Sequence, residues 1–179
     1  MTHDLALPPI RCERFELISC TVAFMEAVLA RDLDAAARAL DVRLPASEWL
    51  DETDPHFRMR LAQIARDLSE HEWLTRAIVL PSREMIGRIG FHGPPDASGA
   101  AELGYTIDAP WRRRGYAADA ARCMMRWARD AHGVRRFRVS IAPDNAPSLA
   151  MAAGLGFVRT GEQIDEIDGL EYVFELEIA

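Results

Sequence analysis

The segment from Trp111 to Ala117 is rich in arginine and glycine, the residue types from which a phosphate-binding turn is built. It follows a strand-like stretch, Glu102–Ile107, and precedes a helical pattern over 118–131. At such a junction several backbone N–H groups lack an intrahelical partner, and the helix dipole adds partial positive charge. Gly115 lets a phosphate approach the backbone, and the small Ala117 leaves room beside it. We therefore predict a pyrophosphate site formed by Arg112, Arg113, Arg114, Gly115, Tyr116 and Ala117.

Three more motifs accompany this turn. They are Glu102-Leu103-Gly104-Tyr105-Thr106-Ile107, then Asn145-x-x-Ser148, then Gly156-Phe157. Together with Arg112-x-x-Gly115-x-Ala117 they resemble a GNAT-type N-acetyltransferase of the RimJ/RimL-like branch. That branch often carries Glu-x-Gly-Tyr on its fourth strand and Asn-x-x-Ser after its fifth. The resemblance covers 11–179 in element order and 102–157 in motif detail.

The resemblance implies a fold class and a cofactor site. The fold is α/β, a mixed and mostly antiparallel twisted sheet with helices on both faces and splayed parallel fourth and fifth strands. The pantetheine arm of acetyl-CoA would fill the splay, pairing with the backbone of Tyr105, Thr106 and Ile107. The pyrophosphate would lie on the N–H groups of Arg113 to Ala117, and Asn145 and Ser148 would contact the pantetheine amides or the sulfur end.

The implied reaction is direct attack of an amine on the thioester. An alkyl-ammonium, with a pKa near ~10, must first lose a proton, and the thioester oxygen gains negative charge. Glu102 is the leading candidate base, acting through a water, with His92 next, and an N–H near Tyr105 is the candidate oxyanion donor. Glu102 and Ile107 would be roughly 16 Å apart in a straight strand, so we expect Gly104 to mark a bulge.

The sequence departs from the family at the leaving group. Many members have a tyrosine seven residues after the asparagine, which protonates the departing thiolate; here that position is Ala152. Either Ser148 substitutes for it, or the thiolate leaves without an acid.

Structural interpretations stand beside these functional ones. Arg112 either contacts phosphate or packs over Trp111, Asn145 and Ser148 also suit a helix cap, and Glu102 suits a structural role. Arg135, Arg136 and Arg138 favour an exposed strand face over a nucleic-acid surface.

Composition limits the classes of function. The 179 residues include no lysine, which excludes Schiff-base chemistry and the lysine of a nucleotide-triphosphate P-loop. A net charge of -7 disfavours nucleic-acid binding and weakly favours a cationic substrate. Five scattered histidines predict no metal site. No apolar run is long enough for a membrane span, and 1–10 lacks signal-peptide features.

Cysteine usage bears on the compartment. The three cysteines, Cys12, Cys20 and Cys123, favour buried thiols in a reducing cytoplasm. We expect a cytoplasmic protein, monomer or homodimer, with a tail over 1–10 and one domain over 11–179.

The hydrophobic pattern predicts the order of elements. A strand over 11–18 precedes helices over 19–40, broken near 32–34, and a further helix with start signals at Ser47–Leu50 and Asp54-Pro55. Strands follow at 73–80, 85–91 and 102–107, then a helix capped by Gly133, and a strand at 136–141. A short helix opened by 144–148 precedes strands at 157–159 and 170–178, with a turn at Asp168-Gly169.

Two functions from different classes remain. One is acetyl-CoA-dependent N-acetylation of a protein N-terminus or a small amine, and the other is a catalytically silent acyl-CoA-binding module acting through protein interaction. A nucleic-acid binder is a third and weaker possibility.

Overall fold

An eight-stranded mixed sheet organises the chain. The computed structural model describes residues 7–45, 50–165 and 169–179. The strand order is β1-β2-β3-β4-β5-β6-β8-β7, and only the β5–β6 pair is parallel. The α/β fold class, a mostly antiparallel sheet with helices on both faces, is confirmed. The strands are β1 Ile10–Arg11, β2 Glu16–Ser19, β3 Arg76–Val79, β4 Met85–Phe91, β5 Ala100–Ile107, β6 Arg136–Ile141, β7 Val158–Asp165 and β8 Gly169–Glu177.

The first predicted strand is wrong, because 11–18 contains a turn between two short strands. The N–H of Cys12 donates to the carbonyl of Phe15, which reverses the chain so that β1 pairs antiparallel with β2. Phe15 is buried in this turn. The ordered fold also begins before Arg11, since Ile10 lies in β1 and the carbonyl of Pro8 accepts from Arg76 Nη1.

Three helices follow β2. Helix α1, Val22–Leu29, and helix α2, Leu33–Leu40, are separated where a break was predicted, and Asp32 caps α2 by accepting from the N–H of Ala35. Helix α3 spans Leu50–Arg66 and includes Pro55, so the prediction that Asp54-Pro55 starts a helix is wrong. The predicted start signals at Ser47 to Trp49 lie outside the described residues.

Helices cover both faces of the sheet and form two cores. On one face α4, Tyr116–His132, packs with buried residues such as Met124 and Ala128 against Phe91 and Phe137. On the other face α1 to α3 pack through residues such as Phe24 and Phe57. Helix α5, Ala146–Leu155, joins the first core. Short 3₁₀ turns occupy Leu68–Glu72 and Ala109–Trp111.

Strand β5 is regular. Its pairing with β4 runs without a register shift from Gly87↔Ile107 to Phe91↔Leu103, so the predicted bulge at Gly104 is wrong. The Gly104 position has another explanation. A Cβ there would lie 2.9 Å from Nε2 of His92, which shows that the glycine makes room for the imidazole ring.

The cysteines also differ from expectation. Cys12 and Cys123 form a disulfide with their Cα atoms 6.0 Å apart, and Cys20 is a free, buried thiol. The prediction of three buried thiols is therefore wrong, because the turn after β1 lies against α4 and brings two cysteines together. With this pair joined, cysteine usage does not support a reducing compartment.

We expect the disulfide to contribute measurably to stability. It closes a loop of 111 residues, for which a native disulfide is typically worth about 2–4 kcal/mol, equivalent to roughly 5–15 °C in Tm for a domain of this size. Dithiothreitol should lower the Tm of the wild-type protein by that amount. Cys12→Ser should start at the lower value and not respond to the reductant. A wild-type Tm unaffected by reduction would contradict this contribution.

Candidate active site

The parallel strands β5 and β6 separate part-way along their length. They pair at Ala100↔Arg136, Ala101↔Phe137 and Glu102↔Arg138, and the pairing stops there although both strands continue. Beyond Glu102 a gap therefore opens between them in the middle of the sheet.

Backbone direction decides which groups line this gap. The carbonyl of Glu102 accepts from the N–H of His92, and the N–H of Asp108 donates to the carbonyl of Ile86, so even-numbered positions point to β4. Because backbone groups alternate along a strand, Tyr105 and Ile107 point into the gap. Thr106 pairs with Arg88 of β4 instead. The prediction that Thr106 offers its backbone to the gap is therefore wrong, while Tyr105 and Ile107 are placed as expected.

A cradle of backbone donors lies at the start of α4. Gly115 caps the helix with φ of 83°, a left-handed conformation that favours glycine, and Arg113 also has positive φ, 61°. Within the described part of the chain, no acceptor pairs with the backbone N–H groups of 113–118. These donors and the positive end of the helix dipole lie where the anion site was predicted, and we call this group of N–H donors the cradle.

The arginines of the cradle have different roles. Arg112 Nε donates to the carbonyl of Ile107 at 2.7 Å and so fixes the turn to the end of β5. The guanidinium of Arg114, not that of Arg112, lies over the Trp111 ring, 5.0 Å from its centroid. Arg112 therefore does not pack over Trp111.

Sequence reasoning missed Arg14, which reaches the cradle from the turn between β1 and β2. Its Nη1 donates to the carbonyl of Arg114 at 3.1 Å and to Asp119 at 2.8 Å. It also stacks over Tyr116 and lies 3.6 Å from the position that a Gly115 Cβ would take. Only the tertiary fold brings this cation, 100 residues distant in sequence, to the cradle.

Asn145 and Ser148 meet β5 at the start of α5. Oδ1 of Asn145 accepts from the N–H of Ser148 at 3.2 Å, so Asn145 caps the helix, as the structural interpretation predicted. The hydroxyl of Tyr105 donates to Ser148 Oγ at 2.8 Å. Burial raises the pKa of Tyr105, although its bond to Ser148 opposes the shift, so the phenol is protonated at neutral pH.

The Tyr105 side chain thus stands near the place where the family tyrosine is missing. Ala152, at the usual tyrosine position, is fully buried. The motif predicted only a backbone role for Tyr105. The signal for a side-chain role was its odd position on β5, which shares a face with α5.

The carboxylate of Glu102 is held on the opposite face of the sheet. Ser140 Oγ donates to Glu102 Oε1 at 2.7 Å across the mouth of the gap, and Gln163 Nε2 donates to Ser140 Oγ at 3.1 Å. His92 Nδ1 lies 3.8 Å from the same Oε1, longer than a hydrogen bond but within ion-pair range when the ring is protonated. The structure therefore brings both candidate bases together.

His92 is suited to accept a proton. Its Nε2 lies over Gly104, where a Cβ would approach it to 2.9 Å. Desolvation lowers the pKa of His92, and the charge of Glu102 opposes that shift. The ring is therefore neutral near pH 7, while 53% of its side-chain surface stays exposed.

A cavity of about 180 Å³ adjoins this pair. It lies between α3 and the β4–β5 sheet and is lined in part by Arg60, Thr75, His92 and Gly104. It opens on the face of the sheet that carries Glu102, where an acceptor would approach the gap.

The described part of the chain comprises 7–45, 50–165 and 169–179. In these ranges no group of three or more His, Cys, Asp and Glu side chains is arranged to hold a metal ion. Nor does any helix there combine the length and apolarity needed to span a membrane.

Known proteins show the same architecture. The family model for the acetyltransferase (GNAT) domain matches residues 25–158. The uncharacterized N-acetyltransferase YjdG of Bacillus subtilis is 30% identical over 114 residues, which are 64% of this chain and 66% of that protein. The uncharacterized N-acetyltransferase p20 of Bacillus licheniformis is 27% identical over 61% of this chain and 62% of its own length. The matches thus span less than two thirds of these relatives.

Solved structures agree on the fold. A putative GNAT-family acetyltransferase from Bordetella pertussis has a TM-score of 0.68 at 22% identity, covering 95% of this chain and 99% of that one. RimL, a ribosomal L7/L12 alpha-N-protein acetyltransferase in complex with coenzyme A, has a TM-score of 0.64 at 20% identity, covering 96% and 98%. A splayed β5–β6 pair ending at a donor cradle, together with the matching family model, shows that this chain belongs to the GNAT acetyltransferase family.

Proposed function

We propose that the protein transfers the acetyl group of acetyl-CoA to a primary amine by direct attack in a ternary complex. The observation that carries this proposal is the gap between β5 and β6, which runs from the His92–Glu102 pair to the cradle. The acceptor amine belongs to a small molecule or to a protein N-terminus.

The residues of the gap and cradle fit acetyl-CoA. The pyrophosphate would accept hydrogen bonds from the N–H groups of 113–118, which have no acceptor among the described residues. The pantetheine amides would pair with the gap-facing backbone of Tyr105 and Ile107. Acetyl-CoA supplies the activated acyl group, and both sets of donors would otherwise have to be satisfied by water.

The proton of the attacking amine passes to His92, with Glu102 as its partner. Nδ1 of His92 faces Glu102 at 3.8 Å, which leaves Nε2 to take the proton while Glu102 stabilises the imidazolium. Ser140 holds the carboxylate in place through its 2.7 Å hydrogen bond. The sequence predicted Glu102 as a base acting through a water. In this proposal His92 is the base, and Glu102 assists it.

Negative charge develops on the thioester oxygen and on the departing sulfur, away from the His92–Glu102 pair. The N–H of Tyr105 faces the gap and would donate to the oxygen. The hydroxyl of Ser148, which accepts a hydrogen bond from Tyr105 on the α4 face, would donate to the departing thiolate. Proton acceptor and proton donor therefore lie on opposite faces of the sheet, with the thioester between them.

The first test concerns the base. His92→Gln should lower kcat/KM by ~10²–10⁴, the typical contribution of a general base. Glu102→Gln should cost less, about ten-fold, because neutral glutamine cannot stabilise the imidazolium. Both losses should shrink at high pH, where free amine accumulates. Wild-type kcat/KM should rise with pH through the lowered pKa of His92, since the ring must be neutral to act.

Glu162→Gln, on the outer strand β7, is the matched control and should behave as wild type. A larger loss in Glu102→Gln than in His92→Gln would make Glu102 the direct base. Release of no free thiol by the wild-type protein with any amine, although acetyl-CoA binds, would favour the silent acyl-CoA-binding module.

The second test concerns the leaving group. Ser148→Ala should lower kcat by about 10²-fold, because it removes the donor to the sulfur, and Tyr105→Phe by about ten-fold, because it removes the hydrogen bond that supports Ser148. Loss of one neutral hydrogen bond to the cofactor would change affinity by only ~0.5–1.5 kcal/mol. Tyr172→Phe, on β8 under the guanidinium of Arg159, is the control. A Ser148→Ala enzyme with normal kcat and raised KM for acetyl-CoA would show that Ser148 only holds the cofactor.

A further inference from the structure

The cavity beside His92 has an unusual charge pattern. Among its described lining residues there is no carboxylate, whereas two arginines and two histidines contribute. Its volume of about 180 Å³ is well above the ~10–15 Å³ that a single water requires, so it has room for a small polar ligand. The residues that define its chemistry are His56, Arg60, Thr75, Arg88, His92 and Gly104.

Arg60 is a buried cation with unused hydrogen-bonding capacity. Only 4% of its surface is exposed, and its Nε is buried without a hydrogen-bond partner. Its Nη1 donates to Gln63 Oε1 at 2.6 Å and to the carbonyl of His92 at 3.1 Å. No carboxylate among the described residues lies within ion-pair distance of it. The charge of Glu70, which lies beyond ion-pair distance, opposes only part of the cost of burying this guanidinium, and a bound anion would offset more of it.

The surrounding groups favour an anion over a second cation. Desolvation lowers the pKa of Arg60 to about 10, so the guanidinium is still charged at pH 7. Desolvation also lowers the pKa of His56 to about 3, and that ring bonds Thr75 Oγ1 at 2.6 Å as a neutral group. Arg88, which has a partner of its own, adds a second guanidinium to the lining.

The position of the cavity connects it to the amine. Gly104 lies both in the cavity lining and beneath the His92 ring, and Arg60 bonds the backbone carbonyl of His92 itself. A group bound at Arg60 and an amine at His92 are therefore only a few bonds apart and can belong to one small molecule.

We propose that Arg60 and the cavity around it bind an acidic group of the acceptor, so that the substrate is a small primary amine carrying a carboxylate or phosphate. This inference rests on the proposed function and adds the class of acceptor. This acceptor class differs from the cationic substrate that the net charge of -7 favoured, because the residues lining a cavity determine its local field more than the summed charge of the surface does.

The inference is tested by comparing the turnover of acidic amines with that of their neutral counterparts. The probes are β-alanine and 4-aminobutanoate against their amides, and O-phosphoethanolamine against ethanolamine, compared as kcat/KM per free amine. We expect the wild-type enzyme to favour the acidic member by about ten-fold or more, since charge-assisted hydrogen bonds are the stronger ones. Whether the carboxylate or the phosphate pair shows the larger ratio identifies the anion.

Two arginines of α3, Arg58 and Arg60, provide a test variant and its matched control. Arg60→Gln should bring the acid-to-neutral ratio close to one, and Arg60→Lys should keep part of it. Arg58→Gln makes the same change of charge on an exposed position of α3 and should keep the wild-type ratio. If Arg60→Gln does not fold, the wild-type ratio and Arg60→Lys decide the question.

A binding arm separates this inference from the proposed function. Without acetyl-CoA, the acidic probes should raise the Tm of the wild type and of Arg58→Gln more than their neutral counterparts do. If no probe is acetylated but the acids still bind, the proposed transfer of acetyl to these amines fails and the anion site stands. If neutral and acidic probes bind and react equally in the wild type, the anion site is overturned and the transferase function stands.

Discussion

The constraint on which the rest of this structure depends is that β5 and β6 leave backbone hydrogen bonds unmade beyond Glu102. A strand buried between two neighbours normally pairs along both edges, because an unpaired N–H or C=O removed from water costs free energy. Strand β5 pairs with β4 from Leu103 to Ile107 but with β6 only up to Glu102. The remaining edge of β5 and the amides of 113–118 leave donors without an acceptor among the described residues. A ligand with amides at one end and phosphates at the other would satisfy these donors, as we propose for acetyl-CoA.

The sheet also separates the chemical roles. Side chains alternate between faces, so Glu102 lies on the α3 face and Tyr105 on the α4 face although they are three residues apart. His92 joins Glu102 on one side, and Ser148 joins Tyr105 on the other. In the proposed reaction the thiolate leaves near the Ser148 hydroxyl on one face. The amine approaches His92 from the other face, so the proton donor and the proton acceptor do not interfere with each other.

Local patterns predicted much of this architecture. The bounds of β4 and α5, the break before α2 and the glycine cap at the end of α4 follow from periodicity and turn chemistry, which act over a few residues. The cradle was predicted for the same reason, since its donors belong to one short segment. The role of Gly104 was not, because the clash it avoids involves a ring from a neighbouring strand.

The residues that sequence reasoning missed share one property, which is that their partners are distant in sequence. Arg14 meets the cradle, Cys12 meets Cys123, and Arg60 meets His92 only after the helices and sheet have packed. No spacing rule connects such pairs. The acceptor side of the site is built mostly from contacts of this kind, which is why the motifs indicated the cofactor and not the substrate.

Amide-resolved hydrogen exchange with and without acetyl-CoA tests the central claim most directly. The unpaired amides of Tyr105, Ile107 and 113–118 should exchange fast in the free protein and slow markedly when acetyl-CoA is present. Gly115→Asp, which puts a negative side chain into the cradle, should weaken binding at least several-fold and abolish that protection at moderate ligand concentration. Gly133→Asp, at the left-handed cap on the other end of α4, should leave it intact. Binding of acetyl-CoA with no slowing at Tyr105, Ile107 or the cradle would contradict the account.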